Sequence, residues 1–308
     1  MAAPRLDAAP AIETRGLVKR YGRTLALDGL TMAVPRGEIF GFLGPNGAGK
    51  TTAVKLLLGL TAPNAGEALL LGRPAGDLEA RRRVGYLPEL FRYQSWLRAR
   101  EVLALHCELA GLARGSWPGE IDGALSSVGL AARGEDLVGT FSKGMQQRLG
   151  LGIALLGSPE LVILDEPTSA LDPIGRVDVR SIIHALRDRG TTVFLNSHLL
   201  TEVERVCDRV AIVDRGRVIA SGPIDELTAA RVVRLRVTEL PDGAFAAFER
   251  FGRISRDGDE LTVESIDRDA IPDLVAAVVA SGGRVHAVEP VRASLEERFF
   301  DLLGGGRG

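Results

Sequence analysis

The stretch Gly44-Pro45-Asn46-Gly47-Ala48-Gly49-Lys50-Thr51-Thr52 follows the apolar run EIFGFL (38–43) and leads into AVKLLLGL (53–60). The spacing Gly44-x-x-x-x-Gly49-Lys50-Thr51 lets the backbone curl so that successive N–H groups point inward, forming an anion cradle where a strand gives way to a helix. Lys50 adds a compact positive charge suited to β- and γ-phosphates, and the Thr51 hydroxyl is a hard oxygen suited to Mg2+. The alternative, an ordinary glycine-rich turn, leaves the complete motif in its strand and helix context unexplained. The stretch therefore predicts a phosphate site on an α/β scaffold.

The rest of the composition sets the bounds. A chain of 308 residues has room for one large core or two unequal domains. With 38 basic and 40 acidic residues the charges nearly cancel, so the balance points to no nucleic-acid partner. Cys107 and Cys207 lack metal-ligand or redox spacing and read as core residues of a reducing compartment. Residues 1–10 have no continuous apolar stretch like that of a signal peptide and are expected to be a disordered leader. No segment approaches the roughly 20 apolar residues of a membrane span. A membrane role would require another chain.

From Ala11 to about residue 228, short apolar runs alternate with helical patterns: EIFGFLG, EALLLG, LVILDEP, TTVFLNS and RVAIVDRG read as strands of a mostly parallel sheet. Residues from about 97 to 156 are helical in character and read as an inserted subdomain. Beyond residue 232 the pattern changes again. RVVRLRV reads as a strand, GAFAAFERFG as a helix, RISRDGDELTVE as a hairpin turning at Asp257-Gly258, DAIPDLVAAVVASGG as a helix and RVHAVEPV as a strand. That βαββαβ order predicts a small ferredoxin-like α+β domain over 232–303, followed by a helix that opens with Ser294 and Glu297 at capping-box spacing.

A phosphate cradle alone could belong to a kinase, a G protein or an ATPase. LVILDEP ends an apolar strand in Asp165 and Glu166, at the sheet edge where open α/β folds place ligands. Adjacent strand residues point to opposite sides, so the two carboxylates can divide their tasks. Asp165 would hold Mg2+ through its water shell, and Glu166 would accept a hydrogen bond from an attacking water.

Taken in order, these segments resemble the nucleotide-binding subunit of an ABC transporter over about the first 225 residues. GPNGAGKTT corresponds to the Walker A segment, GYLPE to the Q-loop region, FSKGMQQRL to the signature, LVILDEP to the Walker B strand, SALD to the D-loop and NSHLL to the switch segment. The resemblance implies a P-loop NTPase cassette with a RecA-like sheet core. It also implies that Tyr21 stacks on adenine, that Glu89 stands at the Q-loop position near the metal, and that His198 joins Lys50 and Glu166 in catalysis. Ser142, Gly144 and Asp172 would serve a composite site in which the signature faces ATP bound to a second cassette. ATP and Mg2+ are the implied ligands, and the implied partners are a second cassette and a separate membrane permease. The chain would then be cytoplasmic, lying peripherally on the inner face of the membrane. The permease surface is expected near the Q-loop and helical subdomain, including Phe91 and Tyr93. An exporter is the leading reading. The competing ones are a soluble mechanochemical ATPase acting on ribosomes or DNA, against which stand the single cassette and the balanced charge, and a nucleotide-binding module that does not turn over, against which stand Lys50, Asp165, Glu166 and His198.

Two departures from the family pattern matter. In the signature, the common LSGGQ is Phe141-Ser142-Lys143-Gly144-Met145, which keeps the hydroxyl and the glycine and adds a cation at a helix N-terminus. At the Q-loop position the usual glutamine is Glu89, and Gln94 lies too far along to replace it. A carboxylate about 4 Å from a phosphate is repelled by on the order of 4 kcal/mol at an effective dielectric near 20, unless a cation bridges the two. ATP affinity is therefore expected to depend more steeply on Mg2+ in the natural chain than in Glu89→Gln. Matched Mg2+ titrations of ATP binding check this, and superimposable curves would refute it.

Overall fold

The computed structural model describes residues 9–304 apart from 91, 170, 229–231, 265 and 292–293. Of the expected leader, residues 1–8 lie outside the described set, as does Phe91. Contacts divide the chain into two compact units, Met1–Gly222 and Pro223–Gly308.

The first unit contains two sheets. Strands β1 (Ile12–Tyr21) and β2 (Thr24–Val34) form an antiparallel hairpin. After β3 (Ile39–Leu43) and helix α1 (Lys50–Leu57) the chain returns to this sheet as β4 (Ala65–Leu70) and the short β5 (Arg73–Pro74), giving the order β2-β1-β4-β5. EALLLG thus lies in an antiparallel sheet, not in the parallel one expected, because β4 pairs with β1 from Ile12↔Leu70 to Val18↔Ala65. The hairpin pattern of β1 and β2 escaped the sequence reading, since charged residues interrupt their apolar runs.

The second sheet carries the site. Helix α2 (Leu78–Arg81) precedes β6 (Val84–Leu87), and α3 (Ala99–Leu109), α4 (Trp117–Ser127) and α5 (Lys143–Ala154) make up the helical stretch. Then come β7 (Leu161–Asp165), α6 (Pro173–Asp188), β8 (Thr192–Asn196), α7 (Leu200–Val206), β9 (Arg209–Asp214) and β10 (Arg217–Pro223). The strand order is β10-β9-β3-β8-β7-β6, and every neighbouring pair from β9 to β6 is parallel. Strands β3, β7 and β8 are buried at every position, which explains their unbroken apolar sequences: both faces of the sheet are covered. Phe40, Phe42 and Phe194 face the antiparallel sheet and pack together, with ring centroids 6.1 Å and 5.2 Å apart. Cys107 and Cys207 are both buried, as expected of core thiols.

The second unit begins at Pro223 and includes α8 (Ile224–Leu227), within the span to residue 228 that the sequence pattern groups with the cassette. It continues with β11 (Val232–Thr238), β12 (Arg253–Asp257), β13 (Glu260–Glu264), α9 (Ile271–Ala280), β14 (Arg284–Val291) and α10 (Leu295–Gly304). The sheet order is β12-β13-β11-β14, with antiparallel neighbours. GAFAAFERFG is not an α-helix: it forms two 3-10 segments, Asp242–Ala247 and Glu249–Phe251, in a stretch bounded by Pro241 and Gly252. The β12–β13 turn is Gly258-Asp259, one residue later than expected, because Asp257 pairs with Glu260. The Ser294–Glu297 capping box is present in both directions, at 3.1 Å and 2.8 Å.

One close approach tests how tightly the parallel sheet is built. A Cβ added to Gly85 on β6 would lie 1.8 Å from the carbonyl oxygen of Ala154 at the end of α5. That oxygen is backbone and cannot rotate away. Gly85→Ala is expected to destabilise the first unit by about 3 kcal/mol, the upper range for overpacking. Denaturant unfolding followed by circular dichroism measures it.

Candidate functional site

The register of the parallel sheet assembles the site. Phe42 on β3 pairs with Asn196 on β8, and Asn196 pairs with Asp165 on β7, so the carboxyl ends of three strands finish level. The loop Gly44–Gly49 leaves β3 at that level and enters α1. Gly49 caps α1 with φ 101°, a left-handed conformation, and a Cβ there would lie 2.4 Å from the carbonyl oxygen of Ala26. Only glycine fits, on both counts. Neighbouring backbone braces the loop: Gly216 N donates to Ala48 O at 2.9 Å, and Asp28 N donates to Gly216 O at 3.1 Å.

Lys50 is only 9% exposed, and its ammonium donates to Gly44 O at 2.7 Å and Pro45 O at 3.2 Å. Burial lowers its pKa, while Glu166, Asp165 and Glu89 pull it back up. Asp165 shows the reverse: burial raises its pKa, with Glu89 and Glu166 adding to the rise, whereas a hydrogen bond from Asn196 and the charge of Lys50 oppose it. Asn196 Nδ2 donates to Asp165 Oδ1 at 2.5 Å. The same field reaches Tyr86 on β6, whose phenol is raised by burial, then by Asp165 and Glu89. Glu89 itself is exposed beyond the end of β6.

Glu166 departs from strand geometry. Its φ is 52°, rare for a residue with a side chain, and Glu166 N donates to Asn196 O at 2.8 Å. The carboxylate is thereby brought to the switch segment: Oε1 lies 2.7 Å from His198 Nδ1, and Ser197 Oγ donates to Oε2 at 3.4 Å. A carboxylate oxygen accepts from an Nδ1–H in this contact, which leaves Nε2 as the ring nitrogen not engaged by Glu166. Helix α7, which follows His198, is tied to α6 by Arg180 Nη1 donating to both oxygens of the buried Glu202, at 3.2 and 3.3 Å.

The other residues singled out from the sequence lie elsewhere. Tyr21 ends β1 and is 47% exposed, with the Lys19 ammonium 5.0 Å from its ring centroid. Ser142 caps α5, its Oγ accepting from Met145 N at 3.2 Å, so the hydroxyl hydrogen remains available to donate. Asp172 caps α6 in the same way, accepting from Gly175 N at 2.7 Å ahead of Pro173. Ser142, Lys143, Gly144, Asp172 and Ile174 line one cavity of about 360 Å3, distinct from the carboxylate and lysine cluster. Asn196, Ser197 and Tyr86 were not singled out from the sequence. No local pattern marks them; strand register alone brings them to the carboxylates.

The donor set suits a hard divalent cation: the charge of Glu89 is felt at both Asp165 and Lys50, and Thr51 follows Lys50 in the first turn of α1. Among the described residues no group of three or more His, Cys, Asp and Glu closes around a metal position. Mg2+ is commonly held by one or two protein oxygens together with phosphates and water.

A phosphate loop on a parallel sheet, a strand-end carboxylate pair and a histidine just past the end of the adjacent strand define a P-loop nucleoside triphosphatase. Residues 27–169 match the family described as ABC transporter. The chain is 36% identical over 304 residues to the bacitracin transport ATP-binding protein of Bacillus licheniformis, covering 96% of this chain and 98% of the relative. It is 38% identical over 303 residues to the daunorubicin/doxorubicin resistance ATP-binding protein of Streptomyces peucetius, covering 95% and 88%. A solved ATP binding subunit of an ABC transporter superposes with a TM-score of 0.64 at 32% identity, covering 70% of this chain and 91% of that one. The chain belongs to the ATP-binding subunits of ABC transporters and is an ATPase of that family.

Proposed function

We propose that this chain powers an exporter, coupling hydrolysis of Mg-ATP in a pair of cassettes to movement of a separate membrane permease. The observation that carries the chemistry is the Glu166–His198 contact at 2.7 Å, beside Asp165 and Lys50 on one sheet edge. In this reading Glu166 orients the attacking water and takes its proton, while His198, held through Nδ1, turns Nε2 towards the γ-phosphate. Lys50 exchanges the Gly44 and Pro45 carbonyls for β- and γ-phosphate oxygens, and the N–H groups of residues 46–52 surround the same phosphates. Thr51, Asp165 and Glu89 supply oxygen to Mg2+, which neutralises phosphate charge when bound. Tyr21 takes the adenine ring.

The second cavity supports the cassette pair. Ser142 and Gly144 at the start of α5, with Asp172 at the start of α6, present a donor and a helix N-terminus to an anion that this chain's own loop does not hold. ATP on a second cassette would fill that role. Exposed Ile174 and Val177 near the start of α6 are apolar surface of the kind an interface covers.

A membrane partner is supported by two observations. Among the described residues no helix is long and apolar enough to cross a membrane. In addition, a groove of about 480 Å3 lies between β6, α3 and α5, lined by Leu78, Tyr86, Leu109, Leu112 and Ile153. Leu78 and Leu109 are exposed there, and Leu90 and Trp96 in the Q-loop region are more exposed still than half-buried Tyr93. Export as the direction of transport is supported by the names of the antibiotic-resistance and antibiotic-transport relatives.

The chemical reading is tested by Glu166→Gln, which is expected to lower ATP hydrolysis by about 10²-fold or more, the scale of a general base, while ATP binding persists. Loss of binding would show that Glu166 has another role. The partner reading is tested by purifying the tagged chain from detergent-solubilised host membranes. A polytopic membrane protein in about equal amount is expected. Ribosomal or DNA-associated proteins without one would transfer the ATPase to the competing reading.

A further inference from the structure

Asn196 stands at the last position of β8, is 2% exposed, and pairs in register with Asp165. Its amide is used unequally. Nδ2 donates to Asp165 Oδ1 at 2.5 Å, whereas Oδ1 of the amide is buried without a partner among the described residues. An unpaired buried oxygen carries a cost that a leucine of similar volume would avoid. The compensation lies on the nitrogen side, where a charge-assisted hydrogen bond meets a carboxylate flanked by Glu166 and Glu89. Among the described residues no other side chain donates to Asp165. The direction of the amide is fixed by the same charge: turned over, its oxygen would face the carboxylate.

We propose that Asn196 is a positioning residue for Asp165: it holds Oδ1, so that the carboxylate presents Oδ2 in one orientation to the hydrated divalent ion. This rests on the reading of Asp165 as the carboxylate that meets Mg2+. Metal-ligating carboxylates are commonly oriented by a hydrogen bond of this kind, and losing such a bond typically weakens metal affinity by about 10-fold or more. Asn196 acts through Asp165 and does not itself touch the nucleotide. Its effect therefore belongs to the metal-dependent part of nucleotide binding and not to binding as a whole. Ser197 and His198, the next two residues, turn instead to Glu166, so one strand end serves both carboxylates by different side chains.

The test uses the full chain and three variants: Asn196→Leu, which keeps the volume and removes the donor; Asn196→Ser, which reads the same loss of reach if the leucine variant does not fold; and Asp165→Asn. ADP binding is measured by calorimetry as Mg2+ is raised, and again with the divalent ion chelated. For Asn196→Leu, or Asn196→Ser in its place, the Mg2+ concentration giving half of the metal-dependent gain in affinity is expected to rise about 10-fold. Metal-free ADP affinity is expected to stay within about twofold, since the loop Gly44–Gly49 is untouched. A buried residue with a merely structural role would lower the melting temperature and leave the Mg2+ midpoint in place. An unchanged midpoint for the Asn196 variants beside a shifted one for Asp165→Asn overturns the role of Asn196 alone. If Asp165→Asn also leaves the midpoint unchanged, the assignment of Asp165 to the metal fails, and the role of Asn196 fails with it.

Discussion

Two carboxylates and an ammonium, Asp165, Glu166 and Lys50, are held almost out of water at the carboxyl edge of a parallel sheet, each less than a tenth exposed. Burial works against the charges of Lys50 and Asp165, and the attraction between the ammonium and the carboxylates only partly restores them. The directions agree with that account: the Lys50 pKa is lowered and the Asp165 pKa raised, each with burial as the leading cause. Such a cluster persists only where surrounding backbone and side chains satisfy it. Asn196 serves Asp165, Ser197 and His198 serve Glu166, and the carbonyls of Gly44 and Pro45 serve Lys50. The remaining architecture can be understood as what keeps those partners in place.

Strand register is the main device. Because β3, β8 and β7 are consecutive neighbours and parallel, their chains all arrive at the same edge and all continue into loops there. An apolar interior on both faces fixes the register, since a shift of one residue would turn Phe40, Phe42 and Phe194 away from the side they share. The second device is close backbone approach. Gly49 admits the Ala26 carbonyl to a distance no side chain would tolerate, and the Arg215-Gly216 turn reaches back to Ala48, so the phosphate loop is pinned from β2 and from the β9–β10 turn. The third is the strained backbone at Glu166. Simple alternation along β7 would send its carboxylate to the face opposite Asp165, whereas the positive φ redirects it towards Ser197 and His198.

The second unit follows different rules. Its four-stranded antiparallel sheet has one buried face, formed by Val233, Leu235, Val237, Leu261 and Val263, packed with Phe248, Leu274 and Val278. Arg234 and Arg236 alternate with those residues on the open face, the pattern expected when only one side meets a core. His286 lies on β14 with Nε2 2.7 Å from Thr238 Oγ1.

How much was legible in the sequence differs from residue to residue for physical reasons. The phosphate loop was fully written there, because a glycine with φ 101° at Gly49 and a lysine buried next to it are demands of local geometry that only particular residue types meet. The parallel strands were legible because burial on both faces leaves unbroken apolar runs, and the capping box at Ser294 because it spans a single helical turn. The hairpin of β1 and β2, the antiparallel placement of β4 and the 3-10 form of residues 242–251 were not, since each depends on which surface lies opposite. Asn196 shows the distinction most clearly. As a letter in TTVFLNSHLL it is one polar residue at a strand end, and nothing near it in sequence names its partner 31 positions away. The sequence by itself determined that the chain has a phosphate loop, two strand-end acids and a histidine close behind another strand end. Only the tertiary structure decided which atoms of Asn196, Ser197 and His198 face which carboxylate, because that depends on the pairing of β7 with β8, a contact between segments that no local propensity encodes.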